Sequence, residues 1–330
     1  MFDDLDPGEF EDTAAAVIAT CAGAADTGER ARLLAGAGVI GVLAPEAVGG
    51  LALPVRFAVP VATAAGAGLL AFPLIESLLL ADALAGPAPE MARAICAGRA
   101  LATIAWTGTT EAGVAGGAPL AGDAGHVLVF RQDGAAVLLA NPDAETAPTL
   151  DLDTPEALIR PSPEAGGIVL DAACVSGLRE TAQVLRAAFM LGAARECLTM
   201  AANYAQDREQ FGKPLSANQV LRHRLSRDAL TIETMRAGLA RALAEPAEGS
   251  AFARQAVWLY AAEHGPLVAE SAIQVFGGMG FTWEVPLHRH LRRMRAMAAQ
   301  GGAAERLDML GAELLRGTQN HWYEEIAHVG

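Results

Sequence analysis

The sequence predicts an α+β fold that is mainly helical, on three observations. Ala- and Leu-rich segments with helical period run from Asp12 to about Gly98. Between about Ala102 and Leu178 short apolar runs around an Asp-Gly pair replace them, and from Glu180 onward the helical period returns and persists. Strands grouped between two helical blocks exclude a doubly wound α/β sheet, in which strand and helix alternate. The expected units are an N-terminal helical domain over 1–101, a small, reduced central β domain over 102–179 and a C-terminal helical bundle over 180–330.

In the first unit, segments such as GERARLLAGAG and LIESLLLADALAG are separated by Pro and Gly clusters, as successive helices require. The uncharged stretch Ala58–Ile75 has membrane-like length, but Pro60, Gly66, Gly68 and Pro73 interrupt it and most of it is Ala. It reads as buried globular structure. Gly36, Gly38 and Gly41 spell G-x-G-x-x-G, yet helix-like residues precede them and Pro45 and Gly49-Gly50 follow. A dinucleotide fingerprint needs a strand before and a helix after, so a nicotinamide site is rejected.

In the second unit, GHVLVFRQDGAAVLLA places two apolar runs around Asp133-Gly134, the strongest short hairpin signal. The Pro- and Asp-rich NPDAETAPTLDLDTPEALIRPSPEAGG that follows reads as loop mixed with edge strands. The third unit resolves into helical segments Glu180–Asp207, Ser216–Ala244, Phe252–Phe276 and Pro286 to about Arg316.

A formal net charge of −14 argues against nucleic acid or an anionic membrane as the principal partner. The local basic cluster Arg289, Arg292, Arg293 and Arg295 reads as a solvated helix face. Cys21, Cys96, Cys174 and Cys197 are widely spaced, so neither a disulfide framework nor a metal site is expected. The acidic N-terminus lacks signal-peptide order, and a cytoplasmic protein is expected. There is no His-Glu-x-x-His helix, Walker loop or Gly-x-Ser-x-Gly elbow.

Two segments carry functional information. Tyr204–Asp228 sets Arg208, Gln210, Phe211 and Gly212 at a junction between helices, where a guanidinium and an amide can bond phosphate oxygens and Phe211 offers an apolar face. Glu270–Met297 ends a helix in Gln274 and then Gly277-Gly278-Met279-Gly280, and glycines there allow close approach of a ligand. Two gripping elements in one helical unit suggest one extended ligand.

At these residues the chain resembles the acyl-CoA dehydrogenases. Arg208-Glu209-Gln210-Phe211-Gly212 with Gln219 and Asp228, and Gln274 through Phe281 with Glu284 and Arg293, are similar to that family's two C-terminal signatures; GVIGVLAPEAVGGL (Gly38–Leu51) is similar to its N-terminal helix-to-loop segment. The resemblance implies an acyl-CoA dehydrogenase-like fold ending in a four-helix bundle, with FAD lying across a subunit interface. It implies that Arg208, Gln210, Phe211 and Gln219 hold FAD on one side and Gln274, Val275, Gly277 and Gly278 on the other. The family's chemistry is α,β-desaturation of an acyl-CoA: a carboxylate takes the α proton while the β hydride passes to the flavin.

The chain departs from that pattern where the base should stand. Gln300, in Ala299–Ala303, occupies the usual base position, and an amide has no usable proton affinity at neutral pH. The family's other base location aligns with about Ala182; Glu180 is close in sequence but two residues off on a helix, and points elsewhere. The family's Lys-x-Trp-Ile-Thr strand has no counterpart after Leu139, and Thr110, in Thr110-Glu111-Ala112-Gly113, is the remaining flavin-ring candidate. Short length and the run GFTWEVPLHRHLRR resemble a branch that pairs two homologous subunits as α2β2 and acts on CoA thioesters of steroid side chains. That resemblance implies a homologous partner supplying the base. The alternatives are a self-sufficient homotetramer using Glu180 or Glu111, and a non-catalytic scaffold.

Overall fold

The computed structural model describes residues 6–161, 166–244 and 250–315. Five helices come first: α1 (Pro7–Cys21), α2 (Thr27–Gly36), α3 (Val55–Ala67), α4 (Leu74–Ala83) and α5 (Pro89–Cys96). Asp6 and Asp26 cap α1 and α2 by accepting from the amides of Gly8 and Glu29, which satisfies donors that have no partner inside the helix. The glycines of the apparent dinucleotide fingerprint do local work. Gly36 closes α2, Gly38 follows at φ +72°, and Gly41 leaves room for a passing loop: a Cβ there would lie 3.1 Å from the Cα of Gly50.

Eight strands follow in two four-stranded sheets. The first has the order β1 (Ala102–Ala105), β4 (His126–Phe130), β5 (Ala136–Ala140), β8 (Ile168–Leu170), with β1 and β4 parallel and the other pairs antiparallel. The second has the order β2 (Thr107–Thr109), β3 (Val114–Pro119), β7 (Glu156–Ile159), β6 (Ala144–Thr146) and is antiparallel throughout. β4 and β5 form the expected hairpin. Gly134 turns it at φ +87°, and the Asp133 carboxylate accepts from the Ala135 amide at 3.0 Å.

The last part comprises α6 (Ala172–Asp207), the two-residue strands β9 (Glu209–Gln210) and β10 (Lys213–Pro214), then α7 (Gln219–Leu243), α8 (Ser250–Phe276), α9 (Leu287–Gln300) and α10 (Ala303–Leu315). Two features differ from the sequence-based expectation. α6 begins at Ala172 rather than Glu180, because Asp171 caps it through the Cys174 amide although the turn that follows contains weak helix formers, Val175, Ser176 and Gly177. The final segment is two helices, broken where Gly302 takes φ +60°.

α6 is the central rod, packed on one side against α3 and on another against α8. The α3–α6 crossing is backbone to backbone. A Cβ added to Gly66 would sit 1.9 Å from the Phe189 carbonyl oxygen, and one added to Gly192 would sit 1.9 Å from that of Thr63. This is why Ala58–Ile75 is rich in small residues: its helix is buried against another helix. Among the described residues no helix is long and apolar enough to cross a membrane.

The basic cluster on α9 is not a solvated face. Arg293 is buried, ion-pairs with buried Asp151 of the β6–β7 loop, and donates through Nη1 to the Leu70 carbonyl at 2.8 Å. Arg289 pairs with Asp153 at 2.8 Å and Arg295 with Glu270 at 2.8 Å. The acidic stretch read from the sequence as loop mixed with edge strands supplies counter-charges, so one arginine joins the helical bundle, the strand layer and the first helical unit.

Candidate functional site

The two helix junctions meet at one end of the bundle. Tyr204, one turn before the end of α6, stacks on Phe276 at the end of α8 with ring centroids 4.1 Å apart, and its hydroxyl lies 3.9 Å from the Met279 sulfur. The junction after α6 is a tight turn: Phe211 and Gly212 take φ +56° and +75°, and the Leu215 amide returns to the Arg208 carbonyl at 2.9 Å. A positive φ at a non-glycine residue is an uncommon conformation, and here it throws the Phe211 ring entirely into solvent (100% exposed).

In the two junctions and the turns that follow them, Arg208, Gln210, Gln219 and Gln274 are exposed, as are Met279, Phe281 and Trp283. Gln210 donates to the Glu209 carbonyl at 2.8 Å. Gly277 takes φ +64°, and a Cβ on it or on Gly278 would meet no atom within 4 Å. Val275 is buried, so only its backbone remains for a ligand. Asp228 points inward instead: it accepts from Ser271 at 2.6 Å and ties α7 to α8, with burial raising its carboxyl. The exposed set suits an extended ligand with an oxyanion, polar edges and an apolar ring. FAD has all three, and the open glycines leave space for it.

The two base positions meet in a separate cavity of about 290 Å³ where α6 and the α9–α10 turn face the strand layer; both Ala182 and Gln300 line it. Neither carries a carboxylate. Gln300 is engaged, donating from Nε2 to Glu156 Oε1 at 2.9 Å. Glu180 is also engaged, as the partner of Arg254 at 2.9 Å. Thr110 lies buried in the turn after β2, its amide bonded to the Phe130 carbonyl at 2.9 Å. Glu111 beside it is exposed, accepts from the Gln132 amide at 3.0 Å, and has its carboxyl lowered by backbone and neighbouring hydroxyl bonds. The structure therefore brings the two helix junctions together at one end of the bundle and leaves Thr110 in the strand layer, while Gln300 and Ala182 share the cavity and Glu180 faces a salt bridge.

The occupant of that cavity wall was not visible in the sequence. Arg186 is 3% exposed and its guanidinium lies over the Trp106 ring, 4.0 Å from the centroid, and 5.5 Å from that of Trp258. Trp106 in turn donates to buried Glu76 at 2.9 Å. Burial pushes Arg186 down to about 10, opposed by Glu76 and Glu156 and reinforced by Arg306 and Arg179. Gly301 makes this packing possible, since a Cβ there would come within 2.2 Å of Trp258 and 2.6 Å of Arg186 Nη1. Glu305 is the carboxylate among the lining residues, exposed at the mouth. The signal for this group was present only as single residues spread over three segments. Among the described residues no cluster of His, Cys, Asp and Glu could hold a metal ion.

Comparison with known proteins shows the family and the fold. The sequence model described as "Acyl-CoA dehydrogenase, C-terminal domain" matches residues 180–315. The chain is 32% identical to acyl-CoA dehydrogenase FadE27 of Mycobacterium tuberculosis, covering 86% of this chain and 87% of that one. It is 31% identical to acyl-CoA dehydrogenase IpdE2 of Mycolicibacterium smegmatis, a match that spans about half of either protein, 52% of this chain and 53% of the relative. A solved structure, the ChsE4-ChsE5 complex from Mycobacterium tuberculosis, superposes with a TM-score of 0.80 at 26% identity, covering 96% of this chain and 99% of that one.

Proposed function

The chain belongs to the acyl-CoA dehydrogenase family, FAD-dependent oxidoreductases acting on CH–CH groups, and from that premise we propose that it is the non-basic subunit of a two-subunit dehydrogenase. In this reading it grips part of the FAD while a homologous partner supplies the catalytic carboxylate, in an α2β2 assembly. The observation that carries it is the contrast inside one chain. The end of the bundle holding Arg208, Gln210, Phe211 and Gln274 is open, and the cavity shared by Ala182 and Gln300 has no carboxylate at either base position.

Arg208 would pair with the diphosphate and Phe211 would cover an apolar ring, with Gln210 and Gln219 as hydrogen-bonding edges. Gln274 and the backbone of Val275, Gly277 and Gly278 would close the other side. When bound, FAD supplies the acceptor for the hydride leaving the β carbon of the acyl chain. Proton removal at the α carbon falls to the partner, because an amide bonded to Glu156 cannot accept a proton. The complementary ChsE4-ChsE5 complex, a structure of two differently named chains, supports a two-subunit arrangement. The acyl group we assign is a CoA thioester of a steroid side chain, on the resemblance of Gly280–Arg293 to that branch of the family. We place the activity in the cytoplasm, where four free cysteines keep their thiols.

Co-expression with a homologous subunit, followed by flavin absorbance and native mass measurement, tests this. The expected product is a yellow α2β2 complex that desaturates acyl-CoA with a dye acceptor, and colourless protein when the chain is made alone. A yellow, active homotetramer would overturn it in favour of the self-sufficient reading. In that case Glu305, rather than Glu180 or Glu111, is the carboxylate at the cavity, and Glu305→Gln would abolish turnover.

A further inference from the structure

The cavity that lacks a base is lined by more positive charge than its own walls neutralise. Arg179, Arg186 and Arg306 all border it, against the single lining carboxylate of Glu305. Arg186 is nine-tenths buried and more, and its Nη2 has no hydrogen-bond partner among the described residues. A buried guanidinium nitrogen without an acceptor leaves a strong donor uncompensated. Glu76 and Glu156 offset part of its charge but bond elsewhere. Glu76 is held by Trp106 and Glu156 by Gln300.

The other two arginines are placed by the fold and not by chance contacts. Arg179 stands two turns before Arg186 on α6 and lies flat on the Phe130 ring, 3.8 Å from its centroid. Arg306, in the first turns of α10, donates from Nε to the Gly301 carbonyl at 3.3 Å. Burial and then the nearby Arg306 charge both lower Arg179, as expected where guanidinium groups crowd. The cavity of about 290 Å³ has two indole rings, Trp106 and Trp258, and the Met309 side chain on its walls. Its size and mixed lining admit a small organic acid or a phosphate.

We propose that this cavity, between Arg186 on α6 and Arg306 on α10, is a binding site for a small oxyanion, a carboxylate or phosphate group held by the three guanidiniums. The site shares its walls with the two base positions, Ala182 and Gln300. Planar guanidiniums bond such groups in pairs, and low local dielectric strengthens each bond. The inference goes beyond the flavin reading and does not rest on it, since the gripping residues at the far end of α6 play no part.

The test uses the full chain in whatever assembly it purifies with, titrated at constant ionic strength with inorganic phosphate, succinate or chloride. Intrinsic tryptophan fluorescence and the melting temperature are followed, because Trp106 and Trp258 line the cavity. Phosphate or succinate should give a saturable change with half-effect near or below about 1 mM, a modest affinity suited to one anion on paired guanidiniums; chloride should not. A response to phosphate alone identifies a free inorganic or phosphoryl ligand, and a stronger response to succinate identifies an organic acid; both support the site. Arg186→Met should abolish the response, and Arg306→Gln and Arg179→Gln should each weaken it at least tenfold without lowering the anion-free melting temperature. The latter two keep the question answerable if Arg186→Met does not fold. Equal, unsaturable effects of all three salts, or unchanged binding in Arg306→Gln, would overturn the proposal. Flavin content in the assembly is the separate readout for the proposed function and should not change in Arg306→Gln.

Discussion

The two halves of α6 have opposite characters. At its C-terminal end the chain leaves Phe211, Phe281 and Trp283 exposed beside uncommitted polar groups, and no atom fills the space over Gly277 and Gly278. In its N-terminal half Arg186 lies against Trp106 and Trp258, Gln300 is bonded, and Gly301 is packed against both Trp258 and Arg186. Exposed aromatic side chains of that kind mark an interaction surface when they adjoin one another. A fully engaged interior needs nothing from outside except, at one unpartnered nitrogen, an anion. The difference teaches that the base positions, although they border a cavity, carry engaged side chains, whereas the helix junctions present exposed ones.

The contrast can be broken most forcefully through the strap beneath the closed end. Asp151→Ala removes the partner of buried Arg293 and should cost about 3–5 kcal/mol, as loss of one member of a buried pair does. Denaturant unfolding measures it; a loss under 1 kcal/mol would mean that the strap is decorative. Acid should act next. Burial and Arg289 push His290 down to about 4, so the unfolded chain, with an ordinary imidazole, binds an extra proton between about pH 6.5 and pH 4. The stabilisation is complete above that window and fades as pH falls through it, by as much as about 3 kcal/mol. His290→Gln should flatten the pH dependence of the unfolding midpoint.

At the open end, Arg208→Ala should leave the melting temperature of the isolated chain unchanged yet weaken flavin retention in the assembly by about 1.5–3 kcal/mol, the worth of a charged hydrogen bond. Equilibrium dialysis against flavin reads this directly. Returning a carboxylate to the closed end sharpens the contrast. Gln300→Glu sets two carboxylates where an amide now donates to Glu156, at a cost of about 1–3 kcal/mol, and should bring no desaturase activity to the chain alone. The smallest effect belongs to Glu180→Gln. It breaks a half-exposed pair with Arg254, should change stability by less than about 1 kcal/mol, and should leave turnover of the complex intact.

The open end was legible because its parts are contiguous: Arg208 through Gly212 and Gln274 through Gly280 each announce themselves as one junction between helices. The hairpin at Asp133-Gly134 was legible for the same reason. The closed end was not, since Trp106, Arg186 and Trp258 come from a strand edge and two helices, and no local pattern links them. Arg293 shows the limit most clearly. Its cluster looks like a solvated face until the loop carrying Asp151, 142 residues away, is folded onto it. The early start of α6 and the break at Gly302 are smaller cases, decided by one cap and one left-handed glycine that periodicity does not register.

The glycine crossing of α3 and α6 leaves no tolerance on either side. A single methyl on Gly66 or Gly192 would overlap a carbonyl oxygen of the facing helix at 1.9 Å, so even alanine, the mildest substitution, would force the two helices apart. The rod that carries both Arg186 and the Phe211 turn is thus seated against the first helical unit by two missing side chains.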